Sequence, residues 1–136
     1  MMAKGIQTIE GIGPRYAEAL QAAGITNTER LLQAGATREG RAALAQTTGI
    51  NEKLILRWVN MSDLFRVKGV ASQYAELLEA AGVDTVRELR TRNPDNLAET
   101  MIKLNKDKRL VRQVPNSTQV SRWVEHAKTL QPVVRY

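Results

Sequence analysis

Hydrophobic residues recur at helical spacing in several segments of the chain. A first helix is expected to begin at Pro14, because proline suits the first helical turn. One face of this helix carries Ala17, Leu20, Ala23 and Gly24. Two later segments are strongly amphipathic, with apolar faces formed by Leu54, Ile55, Trp58 and Val59 and by Val120, Trp123, Val124, Ala127 and Leu130. No alternation of apolar and polar residues is long enough to indicate a strand, so the pattern predicts an all-α protein.

Residues with a preference for helix ends mark where the helices begin and end. Gly24 and Gly82 are expected to be left-handed C-caps, because glycine adopts that conformation without strain. Capping boxes that open short helices are expected at Thr26/Glu29 and Thr85/Glu88. Further N-caps are expected at Asn51, at Asn93 before Pro94, and at Asn116 or Ser117. The chain is thus predicted to consist of short helices joined by tight turns.

The chain contains an internal repeat. Residues 9–25 align without gaps on residues 67–83, at an offset of 58 residues that places Gly82 on Gly24. The identical pairs are Gly11/Gly69, Tyr16/Tyr74, Ala17/Ala75, Glu18/Glu76, Leu20/Leu78, Ala22/Ala80, Ala23/Ala81 and Gly24/Gly82, and Leu31 matches Leu89 further on. So many matches in one ungapped stretch indicate a duplication, which is the feature that organises the whole chain.

The duplication predicts the domain organisation. Trp58 aligns with Trp123 at an offset of 65 residues, compared with 58 for the earlier stretch, so the second copy contains about seven extra residues. We therefore expect a first repeat in residues 1–63 and a second repeat in residues 64–136. The insertion is expected around residues 101–114.

Composition narrows the class of protein. A chain of 136 residues suits one compact domain or two half-sized units, and its 43% of hydrophobic residues suffices for a packed interior. It has no cysteine and a single histidine, His126, which excludes disulfides, thiolate metal sites and a zinc site built from histidines. No apolar run approaches the ~18 residues of a membrane span, and the N-terminus does not resemble a signal peptide. We expect a cytoplasmic protein with no membrane partner.

The charge of the chain favours a polyanionic partner. The formal net charge is +6, of which residues 1–64 contribute +1 and residues 65–136 contribute +5. A basic stretch within the second half contains Lys103, Lys106, Lys108, Arg109 and Arg112, with only Asp107 of opposite charge among them. If these residues neutralised about four to six phosphates, binding would fall with salt at a log-log slope of about −4 to −5. The alternative is a solvated helix or loop face.

The residues around Gly11 resemble the helix-hairpin-helix motif. This motif places apolar residues before a Gly-apolar-Gly turn, an Ala and a Leu at helical spacing after it, and a closing Gly-apolar pair. The first copy has Ile6, Ile9, Gly11-Ile12-Gly13, Ala17, Leu20 and Gly24-Ile25 at these positions. The second copy has Leu64, Val67, Gly69-Val70-Ala71, Ala75, Leu78 and Gly82-Val83. The first match is close to ideal, and the second has an alanine where the motif prefers glycine.

The resemblance implies DNA binding that does not depend on base sequence. In this family the glycine turn and the unpaired N–H groups of the following helix hold a DNA phosphate through backbone amides. Transferred to this chain, the amides of Gly11, Ile12 and Gly13 are the expected phosphate ligands, with Arg15 as a second contact and Lys4 as a third candidate. The competing interpretation is that the turn only packs two helices together.

The second copy is expected to be the weaker of the two hairpins. If Ala71 required a left-handed backbone, its β-carbon would cost roughly 1–2 kcal/mol. We expect a slightly remodelled turn that approaches phosphate less closely, with Lys68 compensating in part and Gly69 and Val70 as the backbone contacts. A purely structural role for this hairpin is equally consistent with its sequence.

A wider resemblance covers nearly the whole chain. Residues 63–70 and 74–86, the run Arg92-Asn93-Pro94-Asp95-Asn96-Leu97 and residues 110–115 ahead of Trp123 are similar to an uncharacterised bacterial family of unknown function built from tandem helix-hairpin-helix units. This likeness implies an all-α fold of two tandem helix-hairpin-helix repeats with extra packing helices. Such a fold is SAM-like, as in the N-terminal domain of DNA polymerase beta. The likeness supplies no catalytic residues and no established partner.

The remaining candidate residues favour no chemistry. Trp58 and Trp123 are expected to pack in the core rather than stack on bases, and Tyr16 and Tyr74 to cap helix interfaces. His126 has no nucleophile or second acid–base group indicated nearby, and no phosphate-binding loop or dinucleotide motif is present. We therefore predict a non-catalytic DNA-binding module without cofactor, metal or small-molecule substrate. The alternative is a protein-interaction or scaffold module that uses the fold only structurally.

Overall fold

The computed structural model describes residues 4–136 and is all-helical over that range, which confirms the predicted all-α class. A 3-10 helix at Ile6–Thr8 precedes eight α-helices: α1 (Pro14–Ala22), α2 (Thr28–Gly35), α3 (Arg38–Thr48), α4 (Glu52–Leu64), α5 (Ser72–Ala80), α6 (Val86–Leu89), α7 (Pro94–Lys108) and α8 (Ser117–Thr129). Among these residues the one bridge of extended backbone joins Gly5 and Asn27. None of the helices in the described part combines the length and apolarity needed to cross a bilayer.

Most of the predicted helix ends are confirmed. Gly24 and Gly82 have φ angles of 85° and 89°, the left-handed region that glycine tolerates. The Thr85 amide donates to Glu88 Oε1 at 2.9 Å, which completes the expected capping box. Helices α1 and α7 begin at the predicted prolines, and the side chains of Asn51, Asn93 and Asn116 accept hydrogen bonds from backbone amides at the starts of α4, α7 and α8.

The predicted capping box at Thr26 and Glu29 is wrong. The Asn27 side chain instead accepts a hydrogen bond from the Arg30 amide at 2.8 Å, so Asn27 is the N-cap of α2. An asparagine caps as well as or better than a threonine, and here it lies one residue further along the chain. Helix α2 therefore begins at Thr28, whose buried side chain accepts from the Lys4 amide at 3.2 Å.

The chain divides into two compact units. The first unit comprises the residues up to Asp63 together with Val133–Tyr136, and the second comprises Leu64–Pro132. The core of the first unit is formed by fully buried aliphatic residues and one tryptophan: Ile6, Ile9, Leu20, Leu31, Ile55, Trp58 and Val59. Of the apolar face predicted for α4, only Leu54 remains half-buried. Helix α2 packs on α3, and the 3-10 helix packs on α1.

A buried arginine attaches the last four residues to the first unit. Arg41 is 5% exposed, and its guanidinium donates to the carbonyls of Gly35 at 2.9 Å, Ala36 at 3.2 Å and Arg135 at 2.7 Å. Burial lowers the pKa of Arg41 from its usual value. Three carbonyl acceptors supply the hydrogen bonds that a buried guanidinium needs. Residues 133–136 thus lie in the first unit, whereas we expected them in the second repeat.

The second unit contains four helices, of which the third, α7, is the longest. Helices α5 and α8 pack on α7, and α6 packs on α8. The core contains the fully buried Val67, Leu77, Leu78, Val83, Leu89, Leu97, Met101, Val120 and Trp123. Helix α7 has 15 residues where α3 has 11, and residues 109–116 follow it as a loop. The extra residues of the second copy therefore extend a helix and form the loop after it.

Candidate nucleic-acid interface

The turns before α1 and α5 have the same backbone conformation. Gly11 and Gly69 have φ angles of 95° and 92°, which disfavour any residue with a β-carbon. The next apolar residue is buried in both turns, and its amide donates back into the turn: Ile12 to Ile9 at 3.2 Å, and Val70 to Val67 at 3.1 Å. The two copies therefore form equivalent turns.

The expected remodelling of the second turn at Ala71 is wrong. Ala71 has φ −95° and ψ 175°, and Gly13 has φ −80° and ψ −179°, so both are extended and open to any residue. A β-carbon placed on Gly13 would meet no atom within 4 Å. The first residue of each glycine turn requires glycine, and the third does not. Ala71 thus leaves the second turn unremodelled.

The backbone donors at each turn differ in part from those expected. The amides of Ile12 and Val70 are already used within the turns, so they are not free phosphate ligands. Among the described residues, no hydrogen bond occupies the amides of Gly11 and Gly13, and those of Ala71 and Ser72 are also free. These groups lie at the starts of α1 and α5, where helix geometry leaves N–H groups unpaired and the dipole is positive. Each turn thus presents donors suited to an anion.

A tyrosine–tryptophan pair packs near each turn. The ring centroids of Tyr16 and Trp58 are 5.1 Å apart, and those of Tyr74 and Trp123 are 5.3 Å apart. Trp58 and Trp123 are 1% and 2% exposed, which confirms the prediction that they pack in the core. A β-carbon on Gly69 would lie 3.1 Å from Trp123 Nε1, whereas one on Gly11 would lie 3.6 Å from Trp58 Nε1. The tryptophan indoles thus lie close to the place where a β-carbon on either glycine would be.

A cleft lies beside the second turn. Its volume is about 380 Å³, and it is lined by Lys68, Gly69, Gln119, Arg122, Trp123 and His126. The side chains of Lys68 and Arg122 are exposed, so both cations are available to a ligand. The Lys68 amide donates to His126 Nδ1 at 2.9 Å, so the neutral imidazole carries its proton on Nε2. The cleft therefore combines two cations with a donor on His126, which suits a phosphate.

Three of these lining residues were missed by sequence reasoning. Gln119, Arg122 and His126 belong to α8, far from the turn along the chain. Their spacing of three and four residues places them on one helix face with Trp123, which was the available signal. His126 was considered only as a zinc ligand and as a catalytic residue, and neither role was favoured.

The corresponding positions of the first unit have a different chemistry. The offset of 58 places Glu10 at the position of Lys68, and the offset of 65 places Leu54 and Met61 at the positions of Gln119 and His126. Met61 is 1% exposed, so it is part of the core. Arg57 matches Arg122 and is the one basic residue that the two sets share. The first turn, predicted as the better phosphate site, thus has an acidic residue where the second has a lysine.

The other predicted contacts are spread over both units. Arg15 is exposed on the first turn of α1, and Lys4 is half-buried with its backbone paired to Thr28. The basic stretch lies at the end of α7 and in the loop after it, with Lys103, Lys106, Lys108, Arg109 and Arg112 all exposed. Lys103 Nζ is 4.0 Å from Glu99 Oε1, and an exposed ion pair of this kind contributes little to the stability of the fold. Lys68, Gly69 and the basic stretch all belong to the second unit.

Comparisons with known proteins identify a family and no function. A family model described as a domain of unknown function, DUF4332, matches residues 10–130. No curated protein and no solved structure matches the chain. Within residues 4–136 there is also no group of three or more histidine, cysteine or carboxylate side chains that could hold a metal ion.

Proposed function

Because this chain belongs to the DUF4332 family, whose description names no activity, we propose a function from its own residues. The protein consists of two tandem helix-hairpin-helix units and binds DNA through backbone phosphates, without catalysis and without reading the bases. The support for the motif is the pair of equivalent turns, each with a positive-φ glycine, a buried apolar residue and a helix that begins with free amides. These are the features on which the motif's phosphate contacts depend.

The observation that carries the proposal is the cleft beside the second turn. Lys68 and Arg122 contribute two exposed positive charges to a cleft that is also lined by Gly69 of the turn before α5. An arginine can contact two oxygens of one phosphate, and the lysine adds a point charge. Contacts of this kind neutralise phosphates and release counterions, which stabilises binding to any sequence.

The test measures binding to labelled DNA by fluorescence anisotropy. The probes are a duplex and a single strand of about 20 nucleotides, each titrated at about 50 mM and about 200 mM salt. We expect dissociation constants of roughly 10⁻⁴–10⁻⁶ M near physiological salt and a steep loss of affinity with salt. The double variant Lys68→Ala/Arg122→Ala is expected to weaken binding by about 10- to 100-fold, because it removes both cations that hold phosphate in the cleft.

A charge-matched control separates the cleft from the net charge. Arg30→Ala/Lys53→Ala removes two exposed positive charges from the first unit. We expect its affinity to stay within about threefold of the unmodified protein, since neither residue lines the cleft. Absence of binding to both probes at low salt would overturn the proposal, and equal losses in the two double variants would remove the cleft from it.

A scaffold role is favoured for the first unit by two residues near its turn. Glu10 lies directly before its turn, and buried Met61 replaces the cleft histidine, so the surroundings do not favour an anion. We therefore expect Arg15→Ala to change DNA affinity by less than about threefold. If Arg15→Ala weakened binding as much as Lys68→Ala/Arg122→Ala, the first turn would be a phosphate site equal to the second.

A further inference from the structure

The loop of residues 109–116 has a defined conformation rather than that of a loose linker. The Asn105 side chain donates to the Val111 carbonyl at 3.0 Å and accepts from the Val111 amide at 3.1 Å. Val111 and Pro115 are buried, and Asn116 caps α8. These contacts at Val111, Pro115 and Asn116 hold the loop in place, so the exposed Arg109 and Arg112 belong to an ordered segment. Binding groups held in this way lose less conformational entropy when they bind a ligand.

The same loop is attached to the start of α5. The Tyr74 hydroxyl donates to the Gln113 carbonyl at 3.2 Å, and Gln113 follows Arg112 directly. Tyr74 lies in the first turn of α5, whose free amides form part of the second turn's anion site. Its ring packs on Trp123, which lines the cleft. A continuous set of contacts therefore leads from the cleft through Trp123 and Tyr74 to Gln113, the residue after Arg112.

We propose that the cleft and the loop of residues 109–116 form one surface that binds neighbouring phosphates of a single nucleic-acid backbone. One phosphate lies at Lys68 and Arg122, and the next phosphates along the strand lie at Arg112 and Arg109. Tyr74 is a positioning residue, because it holds the loop beside α5 and need not touch the ligand. This inference rests on the proposed function and deepens it by assigning the ligand a phosphodiester backbone rather than an isolated anion.

The repetition of charge along the surface favours a backbone as the ligand. A single phosphate would be satisfied by the two cations of the cleft, whereas Arg109 and Arg112 add further exposed charges beyond it. Arginine is suited to phosphate because its planar guanidinium donates two parallel hydrogen bonds. The shared chemistry is the phosphodiester backbone, so single-stranded and duplex DNA are the two forms that the experiment compares.

The test is a double-mutant cycle between the tyrosine and the loop. Tyr74→Phe removes the hydroxyl and keeps the ring on Trp123, and Arg109→Asn/Arg112→Ala removes the loop charges while asparagine tolerates the left-handed conformation of residue 109. The loop variant is expected to weaken binding by about three- to tenfold per charge and to lower the salt slope by about 1 for each phosphate that is no longer neutralised. Tyr74→Phe is expected to weaken binding in the unmodified protein and to have no further effect in the loop variant.

The outcomes separate this inference from the proposed function. If neither the duplex nor the single strand binds the unmodified protein, both are overturned. If Lys68→Ala/Arg122→Ala weakens binding and the loop variant does not, the proposed function stands and the single surface is overturned. If Tyr74→Phe weakens binding equally in both backgrounds, its effect is not exerted through the loop, and the positioning role is overturned. The midpoint of thermal unfolding is measured for Tyr74→Phe in the unmodified protein and in the loop variant. An equal change of this midpoint in both proteins, with DNA affinity reduced only in the unmodified protein, supports the inference.

Discussion

The two turns of this protein have nearly the same backbone but different surroundings. Gly11 and Gly69 differ by only 3° in φ, at 95° and 92°, and a β-carbon on either would lie within 4 Å of a tryptophan Nε1. Beside the second turn, α8 places an arginine and a histidine next to a lysine of the turn itself. The first turn has a glutamate and a buried methionine at the lysine and histidine positions. The backbone conformation is therefore shared by the two turns, whereas the charge of the residues around them is not.

The largest expected effect tests whether each turn needs glycine at its first position. Gly69→Ala is expected to destabilise the second unit by about 1–3 kcal/mol, because its φ is positive and its new β-carbon would lie 3.1 Å from Trp123 Nε1. Gly11→Ala is expected to lower the free energy of unfolding by less, since the corresponding distance to Trp58 Nε1 is 3.6 Å. Urea unfolding followed by tryptophan fluorescence measures both, with one tryptophan in each unit.

The control for this prediction is the third residue of the first turn. Gly13→Ala reproduces Ala71, at a position with extended backbone and no atom within 4 Å of the added β-carbon. We expect it to change the free energy of unfolding by no more than about 0.5–1 kcal/mol in either direction. A loss as large as that of Gly69→Ala would contradict the equivalence of the turns.

Much of the helical architecture was predictable from local sequence, because helix ends depend on single residues. The left-handed glycines at positions 24 and 82 and the cap at Asn93 are such cases. The cap of α2 was missed because two adjacent residues, Thr26 and Asn27, both have side chains suited to capping. Local propensity does not decide between such neighbours, whereas the fold does.

The candidate site was less predictable because it is assembled across the chain. The Lys68 amide meets His126 Nδ1 over a separation of 58 residues, and no local motif contains both. The glycine pattern also does not show which glycine needs a positive φ, so Ala71 was wrongly expected to weaken the second turn. The distribution of charge indicated that a polyanion would bind the second half of the chain. It did not indicate which basic residues lie together in the fold.

A charge exchange tests whether the surroundings distinguish the two turns in function. Glu10→Lys gives the first turn the residue of the second, and Lys68→Glu does the reverse. We expect Glu10→Lys to strengthen DNA binding by about three- to tenfold at low salt and Lys68→Glu to weaken it by more, because the second turn has the neighbouring cations. Anisotropy titrations at two salt concentrations measure both changes.

The double variant Glu10→Lys/Lys68→Glu keeps the net charge of the protein constant. Its affinity is expected to remain below that of the unmodified protein, since Arg122 and His126 stay beside the second turn. Full recovery of affinity in this variant would show that net charge alone governs binding, which contradicts the difference between the turns.

The smallest expected effect concerns a position that is acidic in the second unit and a threonine in the first. Asp84 occupies the position of Thr26 at the offset of 58, directly before the capping box of Thr85. Burial raises the pKa of the Asp84 carboxyl above its usual value of 3.8, and the charges of Glu88 and Glu79 raise it further. Ionisation is therefore less favourable in the folded protein than in the unfolded chain. The stability linked to this group is fully present below the unfolded pKa and is lost as pH rises through the folded pKa.

Asp84→Asn is therefore expected to raise the midpoint of thermal unfolding slightly at about pH 7, and the gain should shrink as pH approaches the unfolded pKa of 3.8. Circular dichroism melts over a pH series measure the difference. Asp95→Asn is the matched control, because Asp95 is exposed in the first turn of α7, where its charge interacts favourably with the helix dipole. It is expected to lower the midpoint at neutral pH, opposite in sign to Asp84→Asn. A lower midpoint for Asp84→Asn at neutral pH would instead mean that the ionised carboxylate stabilises the second unit.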